Sequence, residues 1–495
     1  MPADASATAT APRTGREFLA SLAQGGRSIY LEGERIADPL AHPALHAGAH
    51  SLARLSDFAA APENRELMCF PSPDTSGPVW RGYQIPRSLE DLRAKRVAAE
   101  AWAELSFGLM GRTPDHVANF FAGFAAKPQL FAAAGAHFAA NLLAFYRHIR
   151  DTHAYVAYAI VPPQIDRSQP AHRQVDPTLY AGIVKENDAG IFLSGGQQLA
   201  TGAVYADYLH VSCIHPLQPG DENYAVSLAV PIDAPGLRLY PRRPYAPATA
   251  AADDYPLSSR FDETDCFVVF DNCFVPWERV FIHRNVALCR DQWWQTPAHL
   301  YGNHQAQARY ATKLRFLLGL ARRMNEATGH AALPPVVVAM GELTAYVAIV
   351  ENMLYAHETV ATLDADGILW PSREALYAVM ALQSTINPHV IDIVRELTGT
   401  AMITLPSSTN DFANPEAAAD IERYFRSATT GAAERIRLMR LAWDVIGTEF
   451  AGRHQQYEKF YGGASHVVKA NLYRGYDFTR ALAMVDRALD LPALG

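Results

Sequence analysis

The sequence predicts an α+β protein in which a β-rich middle part separates two helical parts. Apolar residues recur at three- and four-residue spacing before Arg150 and again beyond Trp293, as in amphipathic helices. Between these parts, short β-branched runs are divided by Gly, Pro, Asn and Asp, which is typical of antiparallel strands and their turns. We therefore expect a mainly helical domain at residues 14–154, an antiparallel β-barrel domain at 155–285 and a helical bundle at 286–495.

The composition is that of a globular protein with a large core. The chain has 495 residues, of which 49% are hydrophobic and 19% charged, with a formal net charge of −8. The absence of a basic excess disfavours nucleic-acid binding. Residues 1–13, MPADASATATAPR, are small and polar, so we expect a disordered tail and not a signal peptide. No uninterrupted apolar run approaches the roughly 20 residues of a membrane span, so we expect no membrane association.

The cysteines and the missing motifs narrow the function classes. An odd number of cysteines without a CxxC pair argues against a disulfide framework and a zinc site, and favours a reducing cytoplasm. There are five: Cys69, Cys213, Cys266, Cys273 and Cys289. The chain contains no GxGxxG after a strand, no GxxxxGK[ST] and no HExxH, so we expect no nucleotide domain and no metal. A redox enzyme of this kind must receive its electrons on a cofactor that is already reduced.

The first helical part begins at Thr14, which can cap a short helix, GREFLASLAQ. A strand, turn and strand follow around Gly33. Helical spacing continues over residues 88–124 and again over 130–150. This third of the chain is therefore predicted to be mainly helical.

The stretch 261–284, FDETDCFVVFDNCFVPWERVFIHR, marks the end of the β-rich part. Its β-branched core predicts a sheet strand, and Pro276 interrupts further pairing. Long amphipathic helices then predict a bundle, and Pro388 is expected to kink the third of them. These helices are predicted at residues 311–329, 336–367, 373–399 and 415–447.

Seven separated motifs resemble the flavin-dependent phenol monooxygenases related to 4-hydroxyphenylacetate 3-monooxygenase. They occur in the family's order and extend the resemblance over residues 15–491: IPRS, GRTPDH, PPQIDRS, TGA, FDETD, VPWERVF and the C-terminal GR-x-x-Q-Y-E. WAELSFGLMGR, DYPLSSRFDE and AH-x-x-GN-x-Q are more similar to the chlorophenol and nitrophenol branch. The resemblance implies an acyl-CoA dehydrogenase-like fold.

The resemblance also implies an activity. Such a protein is the oxygenase component of a two-component monooxygenase, and a separate NAD(P)H:flavin reductase supplies its reduced FAD. With O2, the flavin forms a C4a-hydroperoxide that hydroxylates a phenolic substrate, with loss of a halide or nitro group where the attacked carbon carries one. The family implies a homotetramer, and the expected location is the cytoplasm.

Arg112 is the first candidate catalytic residue. From the residues alone, an arginine that pairs with Asp115 at a helix end is the simpler interpretation. The resemblance implies instead that Arg112 binds the substrate phenolate or stabilises peroxide charge. His116 stands where the 4-hydroxyphenylacetate enzymes have tyrosine, and Tyr158 stands where they have histidine. Both are expected to bind substrate, and both departures predict a different phenol.

His299 is the second candidate catalytic residue. It follows Pro297 in a context similar to that of a histidine in the halogenated-phenol and nitrophenol enzymes, which implies that it binds the substrate and deprotonates it. A core or capping histidine is the simpler alternative, and His304 is the nearest rival for the catalytic role.

For the remaining candidates, the family resemblance implies contact with either the flavin or the substrate. Gln164, Arg167, Thr201, Gln456 and Tyr457 are expected to contact the flavin, and Arg453 the substrate. A polar loop, a β-turn and a helix with an aromatic stripe would explain the same residues without a ligand.

Three alternative functions would fit a chain with this order of domains, and one of them is rejected. An acyl-CoA dehydrogenase proper would hold oxidised flavin tightly and oxidise thioesters. A 4-hydroxybutyryl-CoA dehydratase would need cysteine ligands for an iron–sulfur cluster, and residues 98–109 contain no cysteine, so we reject it. A helical scaffold without activity would not bind reduced flavin.

Overall fold

The structure, a computed structural model, describes residues 11–247 and 251–489. Most of the predicted disordered tail, residues 1–10, lies outside this range. Arg13 lies inside it, and its guanidinium donates to the carboxylate of Asp207 at 2.6 Å. The described chain therefore makes tertiary contacts from Arg13 onward.

The N-terminal part is mainly helical, as predicted, and it also contributes strands. Its helices are α1 (Gly15–Ala23), α2 (Pro43–Ala60), α3 (Arg65–Met68), α4 (Leu89–Glu104), α5 (Pro114–Ala125), α6 (Pro128–Ala132) and α7 (Ala136–Asp151). Its strands are β1 (Ile29–Leu31), β2 (Glu34–Ile36), β3 (Cys69–Pro71) and β4 (Pro78–Trp80). Thr14 caps α1 in a capping box with Glu17, which confirms that predicted start. α2 was not predicted from the sequence.

The predicted helix over 88–124 is two helices, and the break between them positions the site. Phe107 and Gly108 have φ angles of 55° and 71°, outside the helical region. A Cβ at Gly108 would lie 2.6 Å from the backbone nitrogen of Lys313, so only glycine permits this close approach. α4 ends before this turn at Glu104, and α5 begins at Pro114. Arg112 therefore lies in the connection between the two helices.

The β-rich part forms two sheets, not the predicted closed antiparallel barrel. Its elements are β5 (Val156–Ala159), β6 (Gly182–Asn187), β7 (Gly190–Gln197), β8 (Tyr208–Ser212), β9 (Ser227–Pro231), β10 (Leu237–Pro241), α8 (Ser258–Phe261), β11 (Cys266–Pro276) and β12 (Val280–Ile282). The strand orders are β2-β1-β10-β11-β7-β6 and β12-β9-β8-β5, and neither closes on itself within the described residues. The β1–β10 and β5–β8 pairs are parallel. β11 is the strand predicted in the stretch 261–284, and it ends at Pro276 as expected.

The C-terminal part is a bundle of long helices, as predicted. It contains α9 (Val286–Trp294), α10 (Ala298–Thr328), α11 (Pro334–Thr359), α12 (Arg373–Thr398), α13 (Pro415–Tyr424), α14 (Ala432–Ile446), α15 (Glu449–Phe460), α16 (Ser465–Gly475) and α17 (Thr479–Leu489), with a short hairpin of β13 (Thr362–Leu363) and β14 (Leu369–Trp370). The predicted helix over 415–447 is divided into α13 and α14. α12 continues through Pro388.

α10 is the centre of the molecule. It packs on α4 and α5 from the N-terminal part and on α11 and α12 from the bundle. This packing explains why polar side chains such as Gln305 and Arg309 are buried on α10. In the described part of the chain, α11 alone has the length and apolar composition of a membrane span, and on its own this is weak evidence.

Candidate functional site

The backbone of Arg112 is held in place by two buried partners. Its N–H donates to Glu263 Oε1 at 2.6 Å, and its carbonyl accepts a hydrogen bond from the Tyr155 hydroxyl at 2.7 Å. The guanidinium carbon then lies 5.3 Å from the ring centroid of Tyr158 and 5.1 Å from that of Tyr457. Arg112 is only 7% exposed. The connection between α4 and α5 therefore directs a buried cation between two aromatic rings.

The guanidinium of Arg112 has no carboxylate partner among the described residues. Its Nη1 is buried and makes no hydrogen bond there. Burial alone would lower the pKa of Arg112, but Tyr158, Tyr457 and Glu263 outweigh it and raise the pKa. The expected alternative, an ion pair with Asp115, is not found. The side chain is thus a permanent positive charge that is ready for an anionic or polar ligand.

His116 lies beside Arg112 and is neutral. Its Nδ1 lies 3.0 Å from Gln305 Oε1, and its ring packs against Phe120 and Tyr158 at centroid distances of 4.9 and 5.8 Å. Burial, reinforced by the charge of Arg112, holds the pKa of His116 well below its ordinary value. The structure therefore brings together three of the residues expected to bind the substrate: Arg112, His116 and Tyr158.

His299 lies on the first turn of α10 and contacts a different set of residues. Its ring stacks on Trp294 at 5.7 Å, and its Nδ1 lies 3.3 Å from the Tyr377 hydroxyl. Burial and the charge of Arg373 lower the pKa of His299 to about 4. His299 also contributes to the low pKa of His116, so the two imidazoles interact electrostatically. Its role as the base stays a prediction.

The rival histidine, His304, has a structural partner. Its Nε2 lies 2.9 Å from Glu358 Oε1, and that carboxylate also accepts a hydrogen bond from Arg96 Nε at 2.7 Å. Both His304 and Glu358 are buried. This arrangement ties α10 to α4 and α11.

The residues expected to contact the flavin fall into two groups. Gln164 and Arg167 are exposed and line one cavity of about 140 Å³ together with Gln197. Thr201 is buried, and its hydroxyl donates to Asp265 Oδ1 at 2.7 Å. At the neighbouring Gly202, a Cβ would lie 2.1 Å from the Tyr155 hydroxyl, so this glycine accommodates a protein group.

Of the three C-terminal candidates, two lie in the buried cluster around Arg112 and one is exposed. Arg453 donates to both carboxylate oxygens of Asp265, at 3.0 and 2.7 Å, and lies 4.9 Å from the ring centroid of Tyr457. The hydroxyl of Tyr457 is buried and has no hydrogen-bond partner among residues 11–247 and 251–489, and burial raises its pKa to about 12. A Cβ at Gly111 would lie 2.3 Å from this hydroxyl, so the GR motif makes room for the tyrosine. Gln456 is exposed and lies outside this cluster.

Several residues that shape the site were not identified from the sequence. Glu263 and Asp265 lie in the quoted FDETD motif and anchor Arg112 and Arg453. Arg309 forms a buried two-point pair with Glu458 at 2.6 and 2.7 Å. Glu263 and Asp265 could have been identified as acidic residues inside a recognised motif. Arg309 lies in no such motif, and its partner Glu458 is 149 positions away along the chain.

Two orphaned polar groups make this cluster a fit for the flavin and phenol that the resemblance implies. The Nη1 of Arg112 can donate a hydrogen bond, and the hydroxyl of Tyr457 can donate or accept one. Buried polar groups ordinarily have partners, so a ligand that supplies them is stabilised here. The described residues contain no group of three or more His, Cys, Asp or Glu side chains that could hold a metal ion.

Comparisons with known proteins give one consistent family. Residues 14–282 match the model of the 4-hydroxyphenylacetate 3-hydroxylase N-terminal family, and residues 289–490 match that of its C-terminal family. The chain is 35% identical to the 4-hydroxyphenylacetate 3-monooxygenase oxygenase component of Klebsiella oxytoca, over 97% of this chain and 92% of that protein. It is 32% identical to the 4-nitrophenol 2-monooxygenase oxygenase component of a Rhodococcus species, over 94% of this chain and 89% of that protein. It is also 32% identical to the pyoverdin chromophore biosynthetic protein PvcC of Pseudomonas aeruginosa, over 92% of this chain and 90% of that protein.

A solved structure extends the likeness to the whole fold. The crystal structure of the oxygenase component of 4-hydroxyphenylacetate 3-monooxygenase, complexed with FAD and 4-hydroxyphenylacetate, superposes with a TM-score of 0.91. The two chains are 32% identical, and the match covers 96% of this chain and 99% of that one. The predicted α+β, acyl-CoA dehydrogenase-like fold is confirmed by this match.

Proposed function

Because the chain belongs to the 4-hydroxyphenylacetate 3-hydroxylase family, we propose that it is the oxygenase component of a two-component flavin monooxygenase. It uses reduced FAD and O2 to hydroxylate a phenolic substrate. The acyl-CoA dehydrogenase alternative is not adopted, because both family models that match the chain describe a hydroxylase. The proposal is carried by the buried guanidinium of Arg112, whose Nη1 has no hydrogen-bond partner in the described part of the chain.

Arg112 binds the phenol oxygen. Its Nη1 donates to that oxygen, and its positive charge lowers the pKa of the phenol, because a nearby cation favours the phenolate. The ring of Tyr158 lies beside both Arg112 and His116 and forms one wall of the site. The His116 and Tyr158 departures support a substrate other than 4-hydroxyphenylacetate, including halogenated or nitrated phenols.

The flavin would be held between the sheets and the bundle. Gln164, Arg167, Thr201, Gln456 and Tyr457 are the residues proposed to contact it, and Arg453 is proposed to contact the substrate through the same cluster. When bound, reduced flavin supplies the two electrons and activates O2 for transfer to the ring. The protein's part is to orient the phenol and to exclude water, which limits the loss of oxygen as hydrogen peroxide.

His299 is proposed as the base that receives the phenol proton. Its low pKa keeps the imidazole neutral near pH 7, so one ring nitrogen carries a lone pair that can accept a proton. The hydrogen bond with Tyr377 would orient the ring. His299 reaches the substrate only if the phenol lies between α5 and the first turn of α10.

The partners are proposed from the chain's surface and composition. A separate NAD(P)H:flavin reductase supplies the reduced FAD. A homotetramer is supported by apolar side chains on the outer face of α11, where Val337 and Val338 are 55% and 72% exposed. A cytoplasmic location is supported by the five cysteines, all free and buried.

A phenol panel tests the proposal. The protein is mixed with chemically reduced FAD, O2 and one phenol at a time, with 4-hydroxyphenylacetate, 4-nitrophenol and a chlorophenol among them. A hydroxylated product that requires the protein supports the proposed function. If none of the phenols yields such a product while thioesters are oxidised, the chain is an acyl-CoA dehydrogenase instead.

A further inference from the structure

Gln305 connects the ring of His116 to a buried carboxylate. It lies on α10 and is buried. Its Oε1 lies 3.0 Å from His116 Nδ1, and its Nε2 lies 3.2 Å from both Thr113 Oγ1 and Asp115 Oδ1. The Thr113 hydroxyl donates to Asp115 Oδ1 at 2.5 Å. The four side chains form one hydrogen-bonded chain that ends at the imidazole.

The donors and acceptors along this chain can be assigned in one way. Burial raises the pKa of Asp115 to about 6, so above that pH its carboxylate only accepts hydrogen bonds. Thr113 gives its hydroxyl hydrogen to Asp115, which leaves the Thr113 oxygen as an acceptor. The Gln305 amide nitrogen then faces two acceptors, and this fixes the orientation of the amide.

The orientation of the amide determines the tautomer of His116. Gln305 Oε1 is an acceptor, so His116 Nδ1 must carry the hydrogen. The other ring nitrogen, Nε2, then carries a lone pair. Within the part of the chain that the structure describes, Nε2 makes no hydrogen bond. Among the charged groups that lower the pKa of His116, Arg112 has the largest effect.

We propose that Gln305 is a positioning residue that holds His116 in the Nδ1–H tautomer, so that Nε2 accepts a hydrogen bond that orients the hydroxyl of the phenol bound by Arg112 before His299 removes the proton. The identity of the ligand rests on the proposed function. The site then offers one donor, from Arg112, and one acceptor, from His116, to a single hydroxyl group. This pairing favours a free phenol over its methyl ether, which has no hydrogen to donate.

Replacing Gln305 by methionine removes all three of its side-chain hydrogen bonds and keeps the side-chain length. His116 is then free to adopt the Nε2–H tautomer, which would turn a second donor towards the phenol. We expect kcat/KM for the phenol to fall about tenfold to a hundredfold in Gln305→Met. The matched control is Gln292→Met, because Gln292 is an equally buried glutamine on α9 that bonds to Ser212 and the Cys289 carbonyl.

The tautomer is read directly by nitrogen-15 NMR of labelled histidine in the protein without flavin. The His116 signals are assigned by their loss in His116→Phe. We expect a protonated Nδ1 and an unprotonated Nε2 in the wild type and in Gln292→Met, and a shift towards protonated Nε2 in Gln305→Met. A wild-type His116 with protonated Nε2, or an unchanged tautomer in Gln305→Met, overturns the proposal.

A double-mutant comparison separates positioning from a general effect on the fold. In the His116→Phe background, Gln305→Met should cause no further loss of kcat/KM, because the residue acts through the imidazole. An equal loss in both backgrounds contradicts the proposal. If the wild type oxidises no phenol, the proposed function fails, and the NMR result still decides whether Gln305 sets the tautomer.

Discussion

Arg453 and Asp265 form a two-point ion pair between the helical bundle and the start of β11. The Nε and Nη2 atoms of Arg453 lie 3.0 and 2.7 Å from the two carboxylate oxygens of Asp265. Asp265 also accepts the hydroxyl hydrogen of Thr201. Because Arg453 lies against the ring of Tyr457, and that ring lies against Arg112, this pair supports the cluster proposed to bind phenol and flavin.

Asp265→Asn should destabilise the fold strongly. The change leaves the buried guanidinium of Arg453 with Glu263 as its remaining carboxylate partner, at 3.3 Å. Removing one partner of a buried ion pair costs about 3–5 kcal/mol. We expect the free energy of unfolding to fall by an amount near the lower end of this range, as measured by urea unfolding. Asp271→Asn, on β11 and in an exposed pair with Arg238, is the control and should change little. Equal stability of the two variants would contradict the account.

Glu458 should make the stability depend on pH in the acid range. Burial would raise its pKa, but Arg309 and Lys313 outweigh it and lower the pKa from 4.5 to about 2. A lowered pKa means that the ionised form stabilises the folded state above pH 4.5, and that this contribution is lost as the pH falls towards 2. The free energy of unfolding of the wild type minus that of Glu458→Gln should therefore shrink below pH 4.5.

The control for this experiment is Glu449→Gln, because Glu449 is exposed and pairs with Arg243 on the surface. That variant should follow the wild type at every pH. A Glu458→Gln difference that stays constant with pH would show that the carboxylate is not held ionised by its partners.

The sequence predicted the helical, β-rich and helical parts because local spacing carries that information. Arg112 and Tyr457 were identified by the motifs around them, and the structure places their side chains together. The barrel prediction was wrong, because strand order depends on long-range pairing such as β1 with β10, which spacing does not encode. Gln305 was missed for the same reason: its partners His116 and Thr113 are separated from it by 189 and 192 positions.

Arg112→Ala should weaken phenol binding and uncouple the reaction. Without the guanidinium, the phenol oxygen loses the donor that is proposed to bind it. Loss of one such charge-stabilising donor costs about a hundredfold to a thousandfold in rate. We expect that loss in kcat/KM, with more of the oxygen released as hydrogen peroxide. Arg243→Ala is the control, because Arg243 is exposed. Normal substrate affinity and coupling in Arg112→Ala would refute this role.

His299→Ala tests the base. If His299 accepts the phenol proton, the variant should lose about a hundredfold to ten-thousandfold in kcat. Phenols that are already ionised at the assay pH should be less affected, because they need no base. His330→Ala, at an exposed histidine just beyond α10, should behave as the wild type. If His299→Ala hydroxylates neutral phenols normally, the base lies elsewhere.

The central claim is that this chain transfers oxygen from reduced flavin to a phenol. The direct measurement mixes the protein with chemically reduced FAD, isotopically labelled O2 and a phenol, in the absence of any reductase, and follows the label by mass spectrometry. The account predicts one labelled oxygen atom in the ring hydroxyl of the product. Release of all the labelled oxygen as hydrogen peroxide, at the rate seen without protein, would contradict it.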